Sequence, residues 1–227
     1  RLIPYNPVKA IGLYRRAATK HFSDAGYAAL QAAFGYIFHI GHLPRDWGLI
    51  ADLTHMAATK ERFMFSLPYI GYMRIHGFGV TKNIRFGVQS LTRVLEEEKR
   101  ALEEEDRVLF YDITRALTRV ALGYAYEKGY VTGKPDLDTA VAYYEESHQY
   151  ILSHKANLDE ELKGIPIDDE AEERLAAFEQ VDGHWRYKEG ITESTTTVRP
   201  GHTEWPQNAA RLSVNMDDFL WDTTLYD

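Results

Sequence analysis

Cysteine is missing from the 227 residues, which excludes disulfides, thiolate metal centres and thiol catalysis and leaves the compartment open. An excess of positive charge is missing too. With 26 Lys and Arg against 34 Asp and Glu, the formal net charge is −8, which disfavours nucleic acid as a main partner because phosphate binding needs a basic field. No Asn-x-Ser/Thr acceptor occurs, since Asn6, Asn83, Asn157, Asn208 and Asn215 all lack the hydroxyl residue two places on; this argues against a glycosylated secretory protein. There is no Gly-x-Ser-x-Gly elbow and no phosphate-cradling glycine loop, because the glycines are spaced as helix punctuation. The opening residues carry no signal-peptide pattern, and a start at Arg1 fits removal of an organellar presequence as well as a trimmed terminus.

Long apolar runs are scarce. The nearest is Ala25 to Leu43, nineteen residues without formal charge, close to the length that spans a bilayer. Against a membrane reading, the run holds Gln31, His39, His42, three glycines and five alanines, so its transfer into lipid is poor. A buried helix is the favoured reading and a membrane-embedded one the alternative.

What the chain does have is a repeat. Gly-Tyr followed five residues later by Gly occurs three times, at Gly35-Tyr36 to Gly41, Gly71-Tyr72 to Gly77 and Gly123-Tyr124 to Gly129. Shuffling this composition gives on the order of 0.1 occurrences, so three copies require a repeat. Each closing glycine falls where a helix would stop on a left-handed residue. A small residue follows about ten positions on, at Ala51, Gly87 and Ala140, and Ala58, Val94 or Ser147 comes seven residues later, on nearly the same helical face. Lys9 to Ala18 aligns with Thr139 to His148, so the start of the chain reads as the second helix of a truncated unit.

The arrangement resembles the Sel1-like repeats, relatives of the tetratricopeptide repeats, whose units pair a helix ending Leu-Gly-x-x-Tyr-x-x-Gly with one carrying Lys-Ala-x-x-Trp-Tyr-x-x-Ala-Ala. Ala121 to Gly129 followed by Asp136 to Ser147 matches best; Gly71 to Val80 follows, with Gly77-Phe78-Gly79-Val80 in place of Gly-x-Gly-Val. The first unit departs, with Leu43-Pro44 after its glycine and His55 where Tyr14 and Tyr144 stand elsewhere. The resemblance covers residues 7–155 and implies an all-α fold, a short α-solenoid of Sel1/TPR-like helical hairpins, and a role in holding other proteins. Close backbone approach at small residues is the physical basis of such pairs, and stacking buries what one pair cannot.

The expected organisation is therefore about three units and a leading half unit over 7–155, a capping helix over 156–180 and an extended C-terminal arm over 181–227. Helices are expected from Pro7 to about Lys20, from Ser23 or Asp24 to Ile40, and from Trp47 to about Lys60. A fourth should run from about Lys60 to His76, interrupted at Pro68, followed by others at Thr81–Arg100, Arg107–Lys128 and Asp136–Lys155. A last helix should start at Asp168-Asp169-Glu170 and end near Gln180. Charged residues Glu96 to Arg107 account for the longer third interval as a solvated extension. The arm shows no sustained period, yet it holds Trp185, Tyr187, Trp205, Phe219, Trp221 and Tyr226, aromatics that a disordered tail normally lacks.

Candidate chemistry is thin. His39, His42, His55 and His76, with Asp46 and Asp52 nearby in sequence, are the only metal or acid–base set, and they lack a defined His/Glu motif. Asp168-Asp169 and Asp217-Asp218 are adjacent pairs that point apart, unlike opposed catalytic carboxylates. Tyr14, Tyr36, Tyr72, Tyr124, Tyr143 and Tyr144 read as core aromatics at repeat positions. The favoured function is a non-catalytic scaffold or adaptor subunit, without cofactor or metal, that grips proteins through its concave face and the six arm aromatics. One alternative is an accessory subunit of an organellar, mitochondrial membrane complex, associated with the membrane through that complex or through Ala25–Leu43; the compartment order is mitochondrial, then cytoplasmic. The other is a helical metal-dependent enzyme using His39, His42, His55 or His76.

Overall fold

Asn6 accepts a hydrogen bond from the Lys9 N–H at 2.9 Å, and Pro7 fills the first turn, so helix α1 (Pro7–Ala18) starts where its caps dictate. The computed structural model describes residues 6–19, 24–59, 63–103, 112–157, 167 and 169–191. The chain continues as α2 (Ala25–Ile37), a 3-10 turn (Ile40–His42), α3 (Trp47–Thr59), α4 (Phe63–His76), α5 (Ile84–Glu103), α6 (Asp112–Glu127), α7 (Leu137–Ala156) and α8 (Glu170–Leu175). An antiparallel hairpin of β1 (Phe178–Val181) and β2 (His184–Tyr187) follows.

The fold is an all-α solenoid built of helix pairs. Consecutive helices pack on one another, α4 also packs on α6, and one core runs through all the units. The crossings are made by the repeat glycines. A Cβ on Gly71 would sit 2.6 Å from the Leu91 side chain and 3.1 Å from the Gly87 carbonyl oxygen of α5. One on Gly123 would sit 2.6 Å from the Tyr144 ring and 3.1 Å from the Ala140 carbonyl oxygen of α7. Without side chains at these points the two backbones come close enough to bury the flanking residues, among them Ile75, Leu91, Leu122 and Tyr144. Arg119 adds a polar tie, pairing with Glu98 of α5 at 2.6 Å and with Glu146 of α7 at 3.2 Å.

Several details differ from the sequence expectation. The first unit turns its glycine the other way, since a Cβ on Gly35 would run into Ile11 of α1. Gly77 and Gly129 close their helices at φ 80° and 69°, but in the first unit left-handed backbone falls on His39 and His42, at φ 54° and 64°. Two left-handed residues cannot continue a helix, so the uncharged run Ala25–Leu43 is not one membrane helix. It is the 13-residue α2, about 20 Å long, followed by a turn. No helix among the described residues is long and apolar enough to cross a membrane. Pro68 does not interrupt α4. Tyr14 is 37 % exposed and not a core residue.

The last helix ends at Leu175, short of Gln180, because the chain turns into the hairpin. Asp182 and Gly183 take φ 53° and 83°, the paired positive values that a two-residue turn needs to match strand twist. The residues from 181 to 187 thus belong to folded structure where an extended arm was expected.

Candidate functional site

α6 ends on Glu127, whose side chain is fully buried. A carboxylate at a helix C-terminus meets the negative end of the dipole and needs other partners. It has four. Tyr144 and Tyr187 donate their hydroxyls at 2.6 and 2.9 Å, Arg174 donates Nη1 at 3.0 Å, and Lys128 Nζ lies 3.0 Å away. Arg174 in turn gives its Nε to Glu170 at 3.0 Å, and Glu170 accepts the Tyr72 hydroxyl at 2.7 Å. The guanidinium lies over the rings of Tyr124 and Tyr144, 4.8 and 5.5 Å from their centroids. One network therefore joins α4, α6, α7, α8 and β2.

The charges are mutually sustained. Burial by itself would raise the Glu127 carboxyl, but Arg174 and the hydrogen bonds from Tyr144 and Lys128 outweigh it and hold the group below the usual carboxylate range. Burial likewise opposes ionisation of Glu170, and Arg174, His76 and the Tyr72 hydroxyl overcome it. Burial also works against the Arg174 charge, yet Tyr144, Glu170 and Glu127 raise its pKa above the ordinary guanidinium value. Burial pushes the Tyr72 and Tyr144 phenols well up, so both remain donors.

Beside the network, His76 is enclosed by Tyr72, Phe78 and Tyr124, with centroids 4.5, 5.1 and 4.4 Å away. Its Nε2 is buried with no hydrogen-bond partner among the described residues. Burial lowers its pKa to about 4, so the ring is neutral at pH 7. A cavity of ≈ 20 Å³, room for about one water, lies between Arg45, Tyr72, Ser147, Asp169 and Glu170.

Metal-ligand geometry appears elsewhere than expected. Among the described residues the sets of three ligand atoms within 4.8 Å of one another include His148, Asp169 and Glu172, and none of His39, His42, His55 or His76. His76 is enclosed by aromatic rings, while His39 and His42 stack edge-on at 5.8 Å. The observed trio has a structural explanation. Asp169 caps α8 by accepting the Glu172 N–H at 3.1 Å and pairs with His148 Nδ1 at 2.7 Å.

Of the six arm aromatics, Tyr187 hydrogen-bonds Glu127 and stacks on Phe178 at 4.9 Å. Trp185 is half-buried against the core, and its backbone N–H donates to Asp138 at 2.9 Å. Trp205, Phe219, Trp221 and Tyr226 lie outside the described residues. Glu127, Glu170 and Arg174 were missed by sequence reasoning. The available signal was Glu127 itself, an acidic residue placed against the helix dipole.

The known Sel1 repeat matches residues 2–21, 69–89 and 114–147. Three Sel1 repeats are therefore found in this chain. The three Sel1 matches cover α1, the α4–α5 crossing with Gly71 and Gly87, and the α6–α7 crossing with Gly123 and Ala140. α2 and α3, the pair with histidines in place of left-handed glycine, fall between the matches. No curated protein and no solved structure matches the chain. Sel1 repeats generally mediate protein–protein interaction.

Proposed function

We propose that the chain is a non-catalytic scaffold or adaptor subunit of a multiprotein assembly. The carrying observation is the set of three Sel1 matches on a solenoid whose last unit is fastened to the following segment by the Glu127–Arg174–Glu170 network. The fastening supports a rigid surface, and rigid surfaces lose little entropy on binding. It also gives residues 192–227 a fixed point of departure, at Ile191 on the core. Trp205, Phe219, Trp221 and Tyr226 are then the anchors offered to partners, because large aromatics packed into pockets dominate protein interfaces. Trp185 lies half-buried against the core, and Tyr187 contributes by holding the hairpin to Glu127.

The test is truncation after Ile191, with native-size analysis and mass spectrometry of what co-purifies with each form. The intact chain is expected in a complex with defined neighbours, and the truncated chain is expected folded and free. Retention of the same neighbours by the truncated chain would take the binding role away from those four aromatics. A free, unassembled intact chain would sink the scaffold reading itself.

A further inference from the structure

Capping of α8 explains the Asp169 carboxylate and its contact with His148, but it leaves the Glu172 carboxylate without a role. In a full capping box the glutamate at the third helical position returns a bond to the N–H of the cap residue. Glu172 holds that position in α8, yet only its backbone N–H takes part, donating to Asp169 Oδ1. Among the described residues its carboxylate has no hydrogen-bond or ion-pair partner. It is turned instead toward its neighbours: its ligand atom, that of Asp169 and a ring nitrogen of His148 all lie within 4.8 Å of one another. Two carboxylates this close repel unless a positive charge stands with them. No lysine or arginine among the described residues pairs with either. Glu170, one position along, shows the contrast, since Arg174 meets it at 3.0 Å.

We propose that His148, Asp169 and Glu172 form a binding site for a divalent metal ion of the zinc class. One imidazole and two carboxylates are a nitrogen–oxygen set that zinc accepts, and the chain has no thiolate to favour softer ions. The three ligands come from two elements, His148 from α7 and the carboxylates from the start of α8. Asp169 is the buried anchor: Oδ1 keeps the cap at 3.1 Å, while Oδ2 faces His148 Nδ1 at 2.7 Å. Ligand atoms about 2.0 Å from a tetrahedral ion stand roughly 3.3 Å apart, so His148 has to back away by about half an ångström and Glu172 to swing in. Glu172 is exposed and His148 only half-buried, which gives the ion a way in and leaves its fourth position to water. Bound there, the ion clamps α8 to α7, beside the Arg174–Glu127 pair that ties α8 to α6. The site needs neither the C-terminal aromatics nor a protein partner, so its failure is distinguishable from failure of the truncation test.

The experiment is calorimetric titration of zinc chloride into the untagged, chelator-treated 227-residue protein, with thermal midpoints read at each zinc level. One zinc per chain is expected, with a midpoint that rises as zinc is added. His148→Gln keeps a donor for Asp169 Oδ2 and should weaken zinc binding by about tenfold or more, the scale of losing even an outer partner of a metal. Glu172→Gln should weaken it by about as much while leaving the cap, which uses only its backbone N–H. His184→Gln alters an exposed histidine beside Asp138 and should change nothing. Circular dichroism checks that each variant is folded; should His148→Gln unfold, Glu172→Gln decides alone. The proposal is overturned if zinc leaves the midpoint unmoved, or if His184→Gln costs as much affinity as the site variants, which marks zinc scattered over surface histidines. Magnesium or calcium binding as tightly as zinc would overturn it too, because the imidazole would then play no part.

Discussion

Glu127 and Arg174 show how much one buried pair governs. Removing one partner leaves the other charged and buried, which costs about 3–5 kcal/mol, while replacing both with apolar residues of similar volume is often close to neutral. Glu127→Ala is therefore expected to lower the urea unfolding free energy by about 3 kcal/mol or more, and the Glu127→Leu/Arg174→Met double variant, which leaves Glu170 without its cation, to lose less than the sum of the two single variants. A double-variant loss equal to that sum would deny the coupling. His76 sets a pH response. Its folded pKa, about 4, lies below its ordinary value of 6.5, so between those pH values the unfolded chain binds the extra proton and stability falls as pH falls. The loss across that window is on the order of 3 kcal/mol. His55 and His154 are shifted in the same direction and add to it. Glu127 and Glu170, with depressed pKa values, contribute stability present above their ordinary range and lost only at more acid pH. Unfolding curves from pH 7 to 4 should thus be distinctly flatter for His76→Phe, and parallel curves would show that His76 is not the sensor.

At the scale of elements, the glycines divide into those that make crossings and those that do not. Gly71→Ala brings a Cβ 3.1 Å from the Gly87 carbonyl oxygen, a backbone atom that cannot step aside, and about 1–3 kcal/mol of destabilisation is expected. Gly12→Ala meets nothing within 4 Å in α1 and should instead stabilise by up to about 1 kcal/mol, through helix propensity. Thermal midpoints that shift the same way for both variants would contradict this division. The hairpin carries a related lesson. Asp182-Gly183 between two four-residue strands was a readable turn signal, but strands this short leave little room for alternation, and Phe178 reads as part of the last helix and Tyr187 as an arm aromatic until they stack on each other.

At the scale of the whole molecule, α1 and α7 differ in what covers them. α7 is covered by α8 and by β2, whereas α1 leaves Leu13 and Tyr14 exposed. Truncation after Ile191 should leave the cooperative unfolding transition near its original midpoint, because the network and the hairpin remain. Truncation after Asn157 removes Arg174, Glu170 and Tyr187 together, so it should broaden the transition or lower its midpoint steeply; circular dichroism melts of the two forms decide it. If both melts match the intact chain, the segment after α7 contributes nothing to the fold.

The sequence by itself determined the repeat and its helices. Gly-Tyr spacing, Pro7 and the closing glycines act within a few residues of themselves, so the helix pairs and their Sel1 character were legible in the chain. Tertiary structure alone decided where the charges go. Glu127, Glu170 and Arg174 read as ordinary members of charged helices, and only packing across 47 residues of chain brings Glu127 to Arg174 at 3.0 Å. It also decided that Tyr144 is buried while Tyr14, at the same repeat position, faces outward, because burial depends on whether a neighbouring helix is present and the local sequence is nearly the same in both.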